Sequence, residues 1–127
     1  MKTIVTLLLA TIIVNFAFAQ NSGISDVNFE KALIDLGFDN GNPDGLVPTA
    51  SIDTITNLNV SGKSIIDLNG IQDFKALTNL NISNNDIVEI KITSNTALAV
   101  LDCSNNNIAN LNLSLNTALV ELFCNNN

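Results

Sequence analysis

Few side chains in this sequence have the chemistry to react or to coordinate. Two cysteines, Cys103 and Cys124, stand 21 residues apart. A thiol can ligate a soft metal, enter a disulfide or fill a core as a small apolar group. Ser61, Ser83 and Ser104 would need a neighbouring base to act as nucleophiles. The sequence contains no His, and all five of its basic residues are Lys. The commonest general base and the commonest transition-metal ligand are therefore absent. The carboxylates are spread over turn-like stretches, without the convergence that acid–base hydrolysis requires. The chain reads as a non-enzyme.

One stretch could hold a hard cation. Asn40-Gly41-Asn42-Pro43-Asp44-Gly45-Leu46-Val47 matches part of an EF-hand calcium loop, with Asn40, Asn42 and Asp44 at the oxygen positions and Gly45 at the bend. Asn40 stands where Asp is usual, and Ser51 replaces the bidentate Glu. Pro43 and Pro48 suit an ordinary connecting turn, which is the simpler reading. No cofactor is expected.

The elements that must position these residues emerge from an internal period. The pattern Ile55-x-x-Leu58-x-Val60-x-x-Lys63-x-Ile65-x-x-Leu68 recurs as Leu77…Leu80…Ile82…Asn85…Ile87…Ile90. It returns as Leu98…Leu101…Cys103…Asn106…Ile108…Leu111, then begins once more as Leu119…Leu122…Cys124…Asn127. Successive starts lie 22, 21 and 21 residues apart, and Asn95-Thr96-Ala97-Leu98 reappears as Asn116-Thr117-Ala118-Leu119. The pattern resembles the leucine-rich repeat, L-x-x-L-x-L-x-x-N/C-x-L, from about Ile52 to Asn127. In general form it is similar to the short-repeat, internalin-like bacterial surface proteins. Its Leu-x-Cys-Ser-Asn-Asn-Asn-Ile wording resembles secreted repeat proteins of Bacteroidota-type bacteria.

Period two at Leu101-x-Cys103 places both side chains on one face of a strand. Asn85, Asn106 and Asn127 follow at the bends, where stacked amides can satisfy backbone groups as a ladder. One coil cannot bury its apolar edge alone, so coils must stack into a solenoid around a parallel sheet. Alternation at Ile90-x-Ile92 and Leu111-x-Leu113 predicts short return strands on the convex side. In the first copy, Lys63 takes the ladder position and Gly62 can relieve the turn. Cys103 and Cys124 would stack inward on adjacent strands about 4.8 Å apart. Two buried thiols fit that placement, and a disulfide fits it less well because in-register side chains point the same way.

Residues 20–51 differ from the repeats. Ser25 or Asp26 can cap a short helix with Phe29, Ala32, Leu33 and Leu36 on its apolar face, ended by Gly37. This segment, with the turn-rich loop after it, suits an N-terminal cap. Residues 1–19 have the form of a signal peptide: Lys2, an apolar run, then Ala17-Phe18-Ala19. The run is too short for a bilayer span and Asn15 interrupts it. Secretion or display at the cell surface is expected, with no membrane span after cleavage at Gln20. The fourth copy is incomplete and uncapped, so the sequence is expected to be the N-terminal fragment of a longer protein, and the resemblance implies further repeats and a C-terminal sorting domain.

With 127 residues, a net charge of −7 and scattered Lys, the chain suits neither nucleic acid nor an anionic membrane surface. Removing Lys2 with the signal would leave four Lys against twelve carboxylates, a charge of −8. The outward strand positions form columns: Asn57, Asn79, Val100, Glu121; Asn59, Asn81, Asp102, Phe123; and Ser61, Ser83, Ser104, Asn125. The first two columns are the candidate ligand face, suited by its amides to a protein surface or a glycan. Recognition is the expected function. The alternatives are a structural or adhesive spacer carrying other domains, and a module stabilised by calcium through the Asn40–Ser51 loop.

Overall fold

The computed structural model describes residues 20–127; the expected signal segment, 1–19, lies outside the described residues. The chain opens with β1 (Asn21–Gly23), α1 (Val27–Asp35), β2 (Leu46–Pro48) and α2 (Thr49–Ile52). Four further strands follow: β3 (Asn57–Asn59), β4 (Asn79–Asn81), β5 (Val100–Asp102) and β6 (Glu121–Phe123), with a 3₁₀ turn at Ile71–Asp73 between the first two.

The four repeat strands form one parallel sheet in the order β3-β4-β5-β6. Its register aligns Leu58, Leu80, Leu101 and Leu122, so equivalent repeat positions stack in columns. Leu58, Val60, Leu80, Ile82, Leu101 and Cys103 point inward, where they meet Ile65, Ile87 and Ile108 from beyond the bends. Each coil's cross-section is thus closed by apolar side chains that it shares with its neighbours. This is a leucine-rich-repeat solenoid.

The return side departs from the sequence prediction. Ile90 and Ile92 are buried with exposed Lys91 between them, so the alternation is real. No strand or ladder forms there among the described residues. Its backbone groups go elsewhere: Asp86 N–H donates to Ile65 C=O, Asn107 N–H to Ile87 C=O, and Asn95 N–H closes a local turn onto Ile92 C=O. One bond per coil aligns the return segments without building a sheet.

The cap is held by one carboxylate. Asp26 is the N-cap of α1, and its Oδ1 accepts from Asn28 N–H (2.7 Å) and Phe29 N–H (3.0 Å). Its Oδ2 accepts from Ile66 N–H (2.8 Å) and Asp67 N–H (3.1 Å), so the same side chain staples the helix to the first coil. Phe29, Ala32 and Leu33 join the core, and the Phe29 ring stacks on Phe74 with centroids 6.3 Å apart. Leu36 does not follow them. The helix stops at Asp35, Gly37 turns the chain at φ +80°, and Leu36 is left 45% exposed.

Sequence reasoning did not reach the antiparallel β1–β2 pair or α2, each only three or four residues long. The boundary drawn between 51 and 52 falls inside α2, whose Ile52 is fully buried in the core shared by cap and coils. Close approach at the junction depends on Gly70, at φ +103°, where a Cβ would collide with the Ile24 side chain and sit 2.8 Å from Gly23 C=O.

Both cysteines are free; Cys103 is buried but Cys124 is exposed, since no described coil stacks on β6. The reading of two buried thiols therefore holds for Cys103 alone.

Candidate functional site

Three columns of amides build the bends that support the sheet. Asn85 Nδ2 donates to the carbonyls of Val60, Ile82 and Ser83, and its Oδ1 accepts from Lys63 N–H and Ile65 N–H. Asn106 repeats the scheme on Ile82, Cys103 and Ser104 carbonyls and on Ile87 N–H. Asn127 repeats it on Cys103, Cys124 and Asn125 carbonyls and on Ile108 N–H. An amide offers two donors and an acceptor at one point, which a bend full of orphaned peptide groups requires. Lys63, at the same position of the first copy, instead reaches Asp35 Oδ2 at 3.4 Å on the surface.

The two other columns are not evident from the leucine pattern. Asn84, Asn105 and Asn126 adopt left-handed φ of 57°, 54° and 57°, and Gly62 does so at 66° in the first copy. Asn tolerates that region better than any other residue with a Cβ except Asp. Doubled Asn, or Gly in its place, is the signal. Asn95 and Asn116, fully buried, donate through Nδ2 to Ile71 and Phe74 carbonyls and to Ile92 and Asn95 carbonyls respectively. Their signal is the recurrent Asn-Thr-Ala-Leu.

On the outer face, a groove of about 500 Å³ runs over the strands. Asn57, Asn59, Asn79, Asn81, Val100, Asp102 and Phe123 line it, together with Leu36 and Phe38 from the cap. Glu121 is exposed on the same strand face but outside that lining. Phe123 is 49% exposed, a large apolar surface to leave in water. Leu36 and Phe38 were not among the sequence candidates, since their helical spacing assigns them to the core.

The second column has structural work of its own. Asn59 Oδ1 accepts from Ser61 N–H, Asn81 Oδ1 from Ser83 N–H and Oγ–H, and Asp102 Oδ1 from Ser104 N–H and Oγ–H. Those Asx turns end each strand. They also occupy the hydroxyls of Ser83 and Ser104. What the face then offers a ligand are the Nδ2 groups of Asn59 and Asn81, which donate to no other described residue, beside apolar walls.

Around the cation-loop candidates, a protein carboxylate lies against the backbone. Glu30, only 2% exposed, accepts from Asp44 N–H (2.7 Å) and from Gly45 N–H (2.9 Å). Asp44 Oδ1 accepts from Leu46 N–H in a turn, while Asn40 and Asn42 are exposed. Among the described residues no cluster of three His, Cys, Asp or Glu is placed to hold a metal. Burial, then the neighbouring Cys124 and Asp102, push the Cys103 thiol up to about 11.

The arrangement is that of an internalin-type leucine-rich-repeat scaffold. It is similar to the functional domain of InlJ from Listeria monocytogenes, a structure described as including a cysteine ladder. That match has a TM-score of 0.74 and 26% identity over 84% of this chain and 25% of that one. An internalin (inlF) from the same organism matches with a TM-score of 0.70 and 24% identity, over 81% of this chain and 31% of that one. The chain thus spans about a quarter to a third of these structures. No protein-family model and no curated protein matches the sequence. No helix among the described residues is long and apolar enough to cross a membrane.

Proposed function

We propose that this chain is part of a secreted or surface-displayed recognition scaffold, non-catalytic, which binds a protein through the outer face of its β3–β6 sheet. The observation that supports it is the groove. Apolar side chains that folding could have buried (Leu36, Phe38, Val100 and Phe123) meet there around a floor of amides. Exposed apolar surface rimmed by polar groups is the usual mark of a docking site. The likeness to internalins points the same way. A protein ligand is favoured over a glycan because the Asx turns have already consumed the acceptors of Asn59, Asn81 and one oxygen of Asp102. In this reading residues 1–19 are the signal peptide, 20–51 the cap, and 52–127 the repeats. Asn85, Asn106 and Asn127 serve as the structural ladder.

The test is photocrosslinking in cells that make the protein, with benzoylphenylalanine in place of Asn79 on the face or Val88 on the return side. Discrete protein adducts from position 79, absent from position 88, are expected. Adducts from position 88 alone would overturn the reading.

A further inference from the structure

Neighbouring coils bond in a fixed alternation. Asn79 N–H donates to Thr56 C=O (2.9 Å) and Val60 N–H donates to Asn81 C=O (2.9 Å). Residues 79 and 81 therefore direct their peptide groups back toward the preceding coil. Glu121 and Phe123 do the same, through Glu121 N–H to Ala99 C=O (3.1 Å) and Cys103 N–H to Phe123 C=O (2.8 Å). The counterparts of Asn79 and Asn81 in β3 are Asn57 and Asn59. Their peptide groups point to the side where a preceding coil would lie.

The cap places no strand on that side. β1 and β2 pair with each other, and β3 is an outer strand of the four-stranded sheet. No described residue bonds the N–H or C=O of Asn57 or Asn59 outside the sheet. Unpaired peptide groups in a row, at strand spacing, are a template for one chemical class: another polypeptide backbone in extended form. Sugar hydroxyls have no such repeat. The edge also borders the groove that Leu36 and Phe38 enter from the cap, so a side chain of an added strand would find an apolar wall there.

We infer that the free edge of β3, at the junction of cap and solenoid, is a strand-addition site for an extended segment of a protein ligand. Alternate side chains of that segment face the groove, and an apolar one seats against Leu36 and Phe38. The net charge of −7 favours a segment flanked by Lys or Arg, through steering and not through a fixed ion pair. This rests on the reading that the groove receives a protein.

The experiment begins with amide exchange on the isotope-labelled protein, read by NMR. The N–H groups of Asn57 and Asn59 are expected to exchange about tenfold or more faster than those of Asn79 and Asn81. Equal protection would mean that the edge is already covered, and would overturn the inference. The probe is then a displayed library of random decapeptides, with the best binders resynthesised. Bound peptides should protect Asn57 and Asn59, and should weaken about tenfold or more when every second peptide amide is N-methylated. Leu36→Glu should weaken them comparably while leaving the melting temperature unchanged. Peptides that perturb Asn79, Val100 and Phe123 but leave the β3 amides unprotected would overturn strand addition yet uphold the sheet-face reading. A library that returns no binder also counts against strand addition, and crosslinking from Asn79 would then judge the face separately.

Discussion

At the scale of single residues, stability is concentrated in side chains that serve the backbone. Asn106 supplies donors to three carbonyls and an acceptor to Ile87 N–H, all in a buried bend. Asn106→Ala leaves those groups without partners and is expected to cost about 2–4 kcal/mol, since each stranded buried polar group carries a penalty. Urea unfolding of the variant beside wild type measures it; a loss under about 1 kcal/mol would mean that water replaces the amide. The thiols differ as sharply. Cys103 is buried and its thiol is pushed up to about 11, while Cys124 is exposed. Ellman's reagent at neutral pH should label Cys124 in the folded protein and reach Cys103 only after denaturation. Labelling of both at equal rates would contradict the inward placement of Cys103.

At the scale of elements, α1 is bound to the first coil through Asp26. Burial raises the Asp26 pKa, but bonds from Ile66, Phe29, Asn28 and Asp67 N–H outweigh it, and the net shift is below 3.8. A carboxyl whose folded pKa is lowered stabilises the fold above its unfolded value, and that stability is lost as pH falls through the folded one. Asp26→Ala should therefore lower stability by about 2 kcal/mol at pH 7. The gap to wild type should narrow only once pH drops below 3.8. Thermal melts of both proteins across that range decide it, and a gap independent of pH would show that the charge is not what holds the cap.

The same elements show what the sequence makes legible. Leucine spacing yields the parallel sheet, its register and the inward face, because every copy repeats the same burial problem. Asp26 and Gly37 delimit α1 by local chemistry. The return strands predicted from Ile90-x-Ile92 do not form, because alternation reports burial and not where peptide groups bond. The β1–β2 pair has no internal period; Ser22 and Val47 are partners 25 residues apart. At the groove, Asn57, Asn79 and Val100 follow from the repeat. Leu36 and Phe38 do not, since their exposure arises from where α1 ends.

For the whole molecule, charge is a liability that few contacts offset. A net charge of −7 is accompanied by only two ion pairs among the described residues, Lys63–Asp35 at 3.4 Å and Lys91–Glu89 at 3.7 Å, both exposed. Exposed pairs contribute at most about 1 kcal/mol, and salt screens them. Screening should weaken the general repulsion more, so raising NaCl to ~0.5 M is expected to increase the melting temperature by a few degrees. A decrease would mean that local pairs matter more than the overall field.

The amide bonds that shape each bend reach back to the preceding coil across 19 to 25 residues. That regularity bears on how such a gene can change. Copying one full unit of about 21 codons recreates every donor and acceptor at both new junctions. Gain or loss of a single codon within a unit strands a whole bend and turns the next strand's side chains inside out. The protein can thus lengthen freely in whole steps and hardly at all in fractions, with its asparagines acting as the ruler that enforces the step.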